Sequence, residues 1–356
     1  MRIAVVGVGL IGGSIGLAAR QRLGAHVSGY DPSAAARETA VARGAVVDAH
    51  DTVAAAVAEA DFAFVAAPVQ TLAAAVREVL AAAGPECVVS DVGSVKRAVV
   101  DEVDDPRFIG GHPLAGAETS GVEHARADLF ADATWYLTPT TITTGTAFER
   151  LHRLITRLGA WPSAIEPDTH DVVMASVSHL PHVLANVLVA QAARVLGDEG
   201  ERLPATGPSF RDVTRVAGAN SVMWGGIYRS NADALAAAID DMVARLQRFR
   251  EQLASGDDDG IAAWNDAARE DRQRLLEADL AGGEVVELRV SVPNRPGVVA
   301  EVALALGRAQ VNIVDMALYP AADNTTGSIA LWIAGADDAA EAEGLIGALG
   351  FTVARP

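Results

Sequence analysis

The chain has 356 residues, half of them hydrophobic, which suits two or three domains with sizeable cores and excludes a disordered polypeptide. Lys and Arg number 28 against 46 Asp and Glu, a net charge of −18. Nucleic-acid binding through phosphates is therefore not expected, although a local basic pocket for a small anion remains compatible with that balance. The single cysteine, Cys87, cannot close an intrachain disulfide, which points to a reducing, cytoplasmic setting.

Residues 3–19 carry no charge and follow Arg2, a superficial likeness to a secretory leader, yet five of them are glycines, which are poor in a helical apolar core. Strands are expected at 2–6, 25–30, 62–66 and 87–91, β-branched runs separated by alanine-rich helical stretches. That alternation implies a parallel sheet covered on both faces. Shorter strands at 108–110, 134–137 and 160–165 extend its far edge. From about 167 to 280 the pattern is helical only. The apolar run 183–196 is broken by Asn186, Gln191 and Arg194 and falls short of the ~20 residues a bilayer requires, so no membrane span is expected. Leu235, Ile239, Met242, Leu246, Phe249 and Leu253 form the seam of a helix packed into a bundle. After a break at 255–260, Ile261, Trp264, Ala268 and Leu275 mark one side of a further helix, which Gly282 and Gly283 terminate. The last 70 residues read as strand 285–292, helix 297–309, strands 311–319 and 328–333, helix 337–349 and strand 351–354, the βαββαβ ferredoxin-like plan. The fold class is α/β: a Rossmann-type doubly wound sheet (1–166), an all-helical domain (167–281) and a ferredoxin-like domain (284–356).

Gly7, Gly9 and Gly12 fall in a GxGxxG turn (Gly7-Val8-Gly9-Leu10-Ile11-Gly12) that follows the first strand and opens a helix. Such glycines let the backbone approach a pyrophosphate at the helix N-terminus. Asp31, 19 residues beyond Gly12 at the end of the second strand, would accept hydrogen bonds from an adenosine ribose and repel a 2′-phosphate, which favours NAD over NADP. A turn residue before Pro32 is the other use of Asp31.

Three further clusters carry polar chemistry. Gly93-Ser94-Val95-Lys96 follows the strand at 87–91, Gly110-Gly111-His112-Pro113-Leu114-Ala115-Gly116 follows a later strand and leads to Glu118, and Ser178-His179-Leu180-Pro181-His182 starts an apolar helix. His112 is either a base or a loop histidine capping backbone groups before Pro113. Arg215 can grip a carboxylate with two parallel hydrogen bonds, with Arg211 on the same face if the stretch is helical; a surface ion pair is the bland use of either. His179 and His182 share a helical face, but no Cys/His/Glu set of metal-ligand spacing joins them, so no metal is expected. Lys96 has no sequence neighbour that would depress its pKa, and a phosphate or carboxylate contact or simple solvation is expected. Cys87 reads as a small buried hydrophobe.

Together these elements resemble the prephenate dehydrogenase family of tyrosine biosynthesis with a C-terminal ACT domain. Gly-Leu-Ile-Gly-Gly-Ser at 9–14, Gly-Ser-Val-Lys at 93–96, Gly-Gly-His-Pro-Leu-Ala-Gly at 110–116, Glu118, Ser-His-Leu-Pro-His, Arg215 and Trp224 stand in family order. The resemblance implies NAD-dependent oxidative decarboxylation of prephenate to 4-hydroxyphenylpyruvate by a homodimer. It makes His112 the acceptor of the 4-hydroxyl proton with Ser94 sharing that contact. His179 then lies near the nicotinamide, with His182, Arg211 and Arg215 on the substrate. Glu118, Asp171 and Trp224 form or gate the pocket through an ionic network. Gly7, Gly9, Leu10, Ile11, Gly12, Asp31 and Ser94 would face the cofactor. Asn294, Pro296, Gly297, Val298, Asn312 and Ile313 match the ACT pattern and would hold an amino-acid effector, with tyrosine the obvious one; a dimerisation module that binds nothing is the alternative. An arogenate dehydrogenase, a hydroxyacid dehydrogenase with an ACT tail and a non-catalytic nucleotide or amino-acid sensor are the rival functions.

Overall fold

The computed structural model describes residues 1–116, 119–197, 207–278, 285–321 and 325–355. The first domain is built on eight strands, β1 (Arg2–Val6), β2 (His26–Tyr30), β3 (Asp48–His50), β4 (Phe62–Val65), β5 (Val88–Asp91), β6 (Phe108–Pro113), β7 (Thr134–Thr138) and β8 (Trp161–Ala164). They lie in the order β3-β2-β1-β4-β5-β6-β7-β8. The pairing is parallel from β3 through β6; β7 runs antiparallel to β6, and β8 parallel to β7. Helices α1 (Leu10–Leu23), α2 (Ala34–Ala42), α3 (Val53–Val57), α4 (Leu72–Ala82), α5 (Arg97–Val100) and α6 (Gly145–Leu158) cover its faces.

Because both faces are covered, the central strands are buried along their length, and successive side chains feed two separate cores. Ile3, Val5 and Phe64 enter one; Ala4, Val6, Ala63 and Val65 enter the other. Cys87 is buried in the second core, where burial pushes its thiol up to about 11. Two elements differ from the sequence expectation. β3 went unanticipated because Asp-Ala-His carries no β-branched run and owes its conformation to pairing with β2. β6 extends to Pro113, so His112 lies in a strand opposite Tyr136 and not in a loop.

The helical region contains α7 (Pro167–Met174), a π turn at Ala175–His179, α8 (Leu180–Gly197), α9 (Pro208–Thr214), α10 (Ser221–Ser230), α11 (Ala232–Ser255) and α12 (Asp258–Ala278). Pro167 at the first helical turn is preorganised for the start of α7. The π turn keeps the chain helical, so 167–194 is one run of 28 residues. By length and composition alone that run would suffice to cross a membrane, which the segment 183–196 by itself would not. The α11 seam does not close within one chain: Leu235 is buried, whereas Leu246 and Leu253 are each 57% exposed.

The C-terminal domain follows as β9 (Val285–Pro293), α13 (Val298–Arg308), β10 (Ile313–Pro320), β11 (Thr326–Ala334), α14 (Ala336–Ala348) and β12 (Thr352–Ala354). Its antiparallel sheet has the order β10-β11-β9-β12, as the βαββαβ plan requires. This domain shares a continuous core with the first: Phe148 and Leu151 of α6 belong to the same cluster as Val299, Ile313 and Met316. The seam is pinned by Arg153 Nη2 donating to the Met316 carbonyl (2.9 Å) and by the Arg308–Glu166 ion pair.

His152 of α6 is buried at this seam. Burial pushes its pKa down to about 4, with Asp315 raising it and Arg153 lowering it. The folded chain therefore holds His152 neutral while the unfolded chain protonates it near its ordinary value of ~6.5. Stability from this residue is present above that pH and is lost progressively as pH falls towards 4, by roughly 3 kcal/mol in all. Thermal melts of wild type and His152→Leu between pH 7 and 4 are expected to show a shallower acid-side decline for the variant. Parallel curves would refute a neutral buried His152.

Candidate active site

The strand order reverses between β1 and β4, and a doubly wound sheet opens a crevice at the carboxyl ends of the strands beside such a point. Gly7 leaves β1 there with φ +97°. A Cβ on Gly7 would strike the Ala66 carbonyl, and one on Gly12 the Gly7 carbonyl, so this turn tolerates only glycine. Gly9, by contrast, faces open space and is the N-cap of α1, which has no side-chain cap. The first-turn amides of α1, including Leu10 and Ile11, thus lack a side-chain acceptor and suit an anionic diphosphate. Asp31, at the end of β2, holds the turn by accepting from Val8 N (3.1 Å) and Ser33 N (2.9 Å). These residues fit a dinucleotide.

Next along the same edge, β5 ends in Asp91, whose carboxylate accepts from Gly93 N (2.8 Å) and Gly111 N (3.0 Å). The Lys96 ammonium pairs with Asp91 and donates to the Gly111 carbonyl (2.7 Å). Lys96 is wholly buried, and burial pushes its pKa down against the pull of Asp91. The expectation that nothing would depress it therefore fails: the cause is enclosure, which neighbours in sequence do not reveal. Its partner is a carboxylate of its own chain. A Cβ on Gly111 would lie 2.7 Å from both the Asp91 carbonyl and Ser90 Oγ, which explains the glycine before His112.

His112 is half-buried. Its Nδ1 lies 2.9 Å from Nε2 of His170, and His170 Nδ1 lies 2.7 Å from Asp171 Oδ1. Asp171 is buried on α7, and its carboxylate also accepts from the backbone amides of Lys96 (2.8 Å) and Arg97 (3.1 Å). Its carboxylate is an internal anchor, enclosed between the start of α5 and the His170 ring. Burial, followed by His170, Lys96 and His179, holds His112 well below its ordinary pKa. His170 is lowered by burial, with Asp171 raising it.

The π turn delivers His179, which is buried and pushed by burial to about 4. Asn231 Nδ2 donates to the Asp171 carbonyl (2.7 Å) and reaches His179 Nδ1 (3.2 Å). Since that amide nitrogen can only donate, His179 Nδ1 is the acceptor and its proton sits on Nε2. Trp224 meets His179 edge-on and stacks on His182 with ring centroids 3.5 Å apart. Burial lowers the His182 pKa, and the charge of the Arg215 guanidinium lowers it further.

The structure thus gathers His112, His179, His182, Trp224 and Arg215 into one array. Ser94 lies half-buried in the turn between β5 and α5 and makes no hydrogen bond to His112. Arg211 is exposed on α9, one turn before Arg215. Glu118 lies outside the described residues. Sequence reasoning missed His170 and Asn231; the His170-Asp171 pair was the available signal.

At the seam, a cavity of about 190 Å³ is walled by Asn294, Pro296 and Val298 from one side and Thr144, Gly145 and Thr146 from the other. Gly297, at φ +81°, caps α13 and donates to the Thr143 carbonyl (3.2 Å). Asn312 and Ile313 do not line this cavity: Ile313 is packed in the core and the Asn312 carbonyl accepts from Ala334 N (3.1 Å).

The family model for the prephenate dehydrogenase nucleotide-binding domain matches residues 15–162, that for its dimerization domain 166–266, and that for the ACT domain 286–345. Prephenate dehydrogenase of Bacillus subtilis is 32% identical over 352 residues, spanning 96% of this chain and 94% of that protein. Cyclohexadienyl dehydrogenase of Zymomonas mobilis is 32% identical over 72% of this chain and 90% of its own length. Among solved structures, prephenate dehydrogenase from Aquifex aeolicus in complex with hydroxyphenyl propionate and NAD+ superposes with TM-score 0.72 at 27% identity, covering 77% of this chain and 98% of that one. Synechocystis arogenate dehydrogenase superposes with TM-score 0.67 at 26% identity, covering 77% and 100%. With a glycine cradle, an enclosed histidine array and a relative matched along nearly its whole length, the chain belongs to the prephenate dehydrogenase family.

Proposed function

We propose that the chain catalyses NAD-dependent oxidative decarboxylation of prephenate to 4-hydroxyphenylpyruvate in the cytoplasm. The observation that carries this reading is the neutral, enclosed His112 on the strand edge that also carries the glycine cradle. Gly7, Gly9, Gly12 and the amides of Leu10 and Ile11 would hold the diphosphate of NAD, and Asp31 the adenosine ribose. When bound, NAD supplies the hydride acceptor. His112, unprotonated at neutral pH, takes the proton of the 4-hydroxyl. Arg215 holds a substrate carboxylate, assisted by Arg211, and Trp224 with His182 walls the ring. Ser94 would share the hydroxyl, and His179, which carries its proton on Nε2, would stand near the nicotinamide. Loss of the ring carboxylate as carbon dioxide leaves an aromatic ring.

The Arg215 guanidinium, whose charge reaches His182, repels an ammonium and suits the keto side chain of prephenate over the amino side chain of arogenate. NADH formation measured with prephenate and with arogenate is expected to favour prephenate; the reverse order would overturn the assignment of Arg215 and His182. His112→Asn is expected to lose turnover by ~10² or more while still binding NAD. A variant that keeps its turnover would refute the base, and no turnover of wild type on either compound would favour a nucleotide or amino-acid sensor.

Asp31→Ala is expected to move the kcat/KM ratio towards NADP by roughly an order of magnitude. It removes the charge facing a 2′-phosphate and leaves Arg37, which donates to the Asp31 carbonyl (2.6 Å), in place to meet one. An unchanged ratio would mean that Asp31 serves only the turn.

The chain acts as a homodimer. Val222 is 83% exposed, and Met223, Leu246 and Leu253 are also open to solvent, an apolar surface that a second copy of the helical domain would cover. The cavity between Asn294 and Gly145 is the effector site, and tyrosine is its ligand. Tyrosine is expected to raise the melting temperature and suppress turnover in wild type and to do so more weakly in Asn294→Ala. Equal inhibition of both proteins would place the effector elsewhere.

A further inference from the structure

We propose that His170, held by Asp171, is a positioning residue that fixes the tautomer of His112 so that its Nε2 faces the substrate unprotonated. This rests on the reading of His112 as the base and extends it to two residues that need not touch substrate.

The argument is a sequence of donor and acceptor assignments. The Asp171 carboxylate already accepts two backbone amides, Lys96 N at 2.8 Å and Arg97 N at 3.1 Å, and a carboxylate can only accept. His170 Nδ1, 2.7 Å from Oδ1 of that carboxylate, must therefore carry a proton. Burial favours neutral His170, which leaves a lone pair on its Nε2. His112 Nδ1 lies 2.9 Å from that lone pair and must be the donor. With its Nδ1 protonated, neutral His112 has its lone pair on Nε2. One buried carboxylate thereby sets two ring tautomers in series, as the carboxylate of a catalytic triad sets one.

The same array receives the charge that proton transfer creates. When His112 Nε2 takes the hydroxyl proton, its Nδ1–H bond to His170 becomes charge-assisted and strengthens. The groups facing the pair are Asp91 at the end of β5, Lys96 from the β5–α5 turn, Asp171 from α7, His179 from the π turn and the Tyr136 ring of β7, 5.7 Å from His170. Lys96 is already matched by Asp91, so Asp171 is the counter-charge closest to a new cation on this line. Asn231 fixes the backbone of Asp171 by donating to its carbonyl at 2.7 Å.

Kinetics on the intact enzyme with prephenate and NAD test the inference. His170→Phe and Asp171→Asn are each expected to lower kcat by ~10² or more with KM for both substrates little changed. The asparagine variant removes the counter-charge on this line and leaves one of the three donors that the carboxylate accepts without a partner. His170→Gln, which restores an acceptor for His112 Nδ1, is expected to recover part of the loss. Because His170 acts only through His112, the His112→Asn/His170→Phe double variant should match His112→Asn within about twofold. Losses that multiply would overturn the inference and mark His170 as a structural residue. A slow His112→Asn beside an unimpaired His170→Phe would sink this inference alone; a fully active His112→Asn would sink the base assignment with it. Nitrogen-15 NMR of the wild type, with His112→Asn identifying the signals, gives a reading that does not depend on variant folding. A proton on His112 Nδ1 is expected, and one on Nε2 would refute the proposal.

Discussion

The ion pair between Lys96 and Asp91 is the interaction on which the site is built. An ammonium removed from water costs several kcal/mol unless it is matched, and removing one member of such a pair typically costs ~3–5 kcal/mol. Here the match extends to the backbone of the neighbouring strand: Asp91 takes the Gly111 amide, and Lys96 gives to the Gly111 carbonyl. The parallel ladder between β5 and β6 ends at Ser90 and Ile109. Beyond that point two charged side chains substitute for it, holding both polar groups of Gly111 while the strands part. His112 is the next residue, so its backbone is fixed where the crevice opens.

Lys96 joins a second part of the molecule through its own amide, which gives to Asp171 of α7. The helical domain is thereby tied to the strand edge at the residue that secures β6. The array of His112, His170 and Asp171 closes a loop with Lys96: side chain to β5 and β6, backbone to α7, α7 to His170, and His170 back to β6. A closed loop of hydrogen bonds in a low-dielectric interior holds its members more rigidly than separate contacts would, because each donor's orientation is set by its neighbour. That rigidity suits a base, whose proton must be taken at one nitrogen.

The parts of the fold legible in the sequence are those with a local cause. The glycines at 7–12 mark a turn, β-branched runs such as Arg2–Val6 mark buried parallel strands, and the change of period after residue 284 marks the antiparallel C-terminal domain. What escaped has a non-local cause. β3 exists through pairing with β2, and the strand character of Gly110–Pro113 through pairing with β7. The π turn before α8 inserts a residue that no spacing rule foresees, and with it the geometry that sets His179 on Asn231 and His182 on Trp224. His170 is unremarkable in sequence, since its meaning comes from His112, 58 positions away. The bundle seam on α11 was legible as apolar but not as open, because a helical period does not say which chain covers it.

The C-terminal domain is coupled to this site by position. α13 packs against β8 so closely that a Cβ on Gly307 would strike the Ala164 carbonyl, and Arg308 pairs with Glu166. Glu166 is the N-cap of α7, the helix that carries His170 and Asp171. From the C-terminal domain to His112 there is thus a short, stiff sequence of contacts through packed backbone. Contiguity of this kind transmits nothing unless the seam has two arrangements that a ligand distinguishes. The cavity is placed to make that distinction, because Thr144 and Gly145 line it from the first domain while Asn294 and Pro296 line it from the other. A molecule bound there touches both sides of the seam, so any preference it has for one arrangement acts on α13, whose last residue, Arg308, pairs with the N-cap of α7.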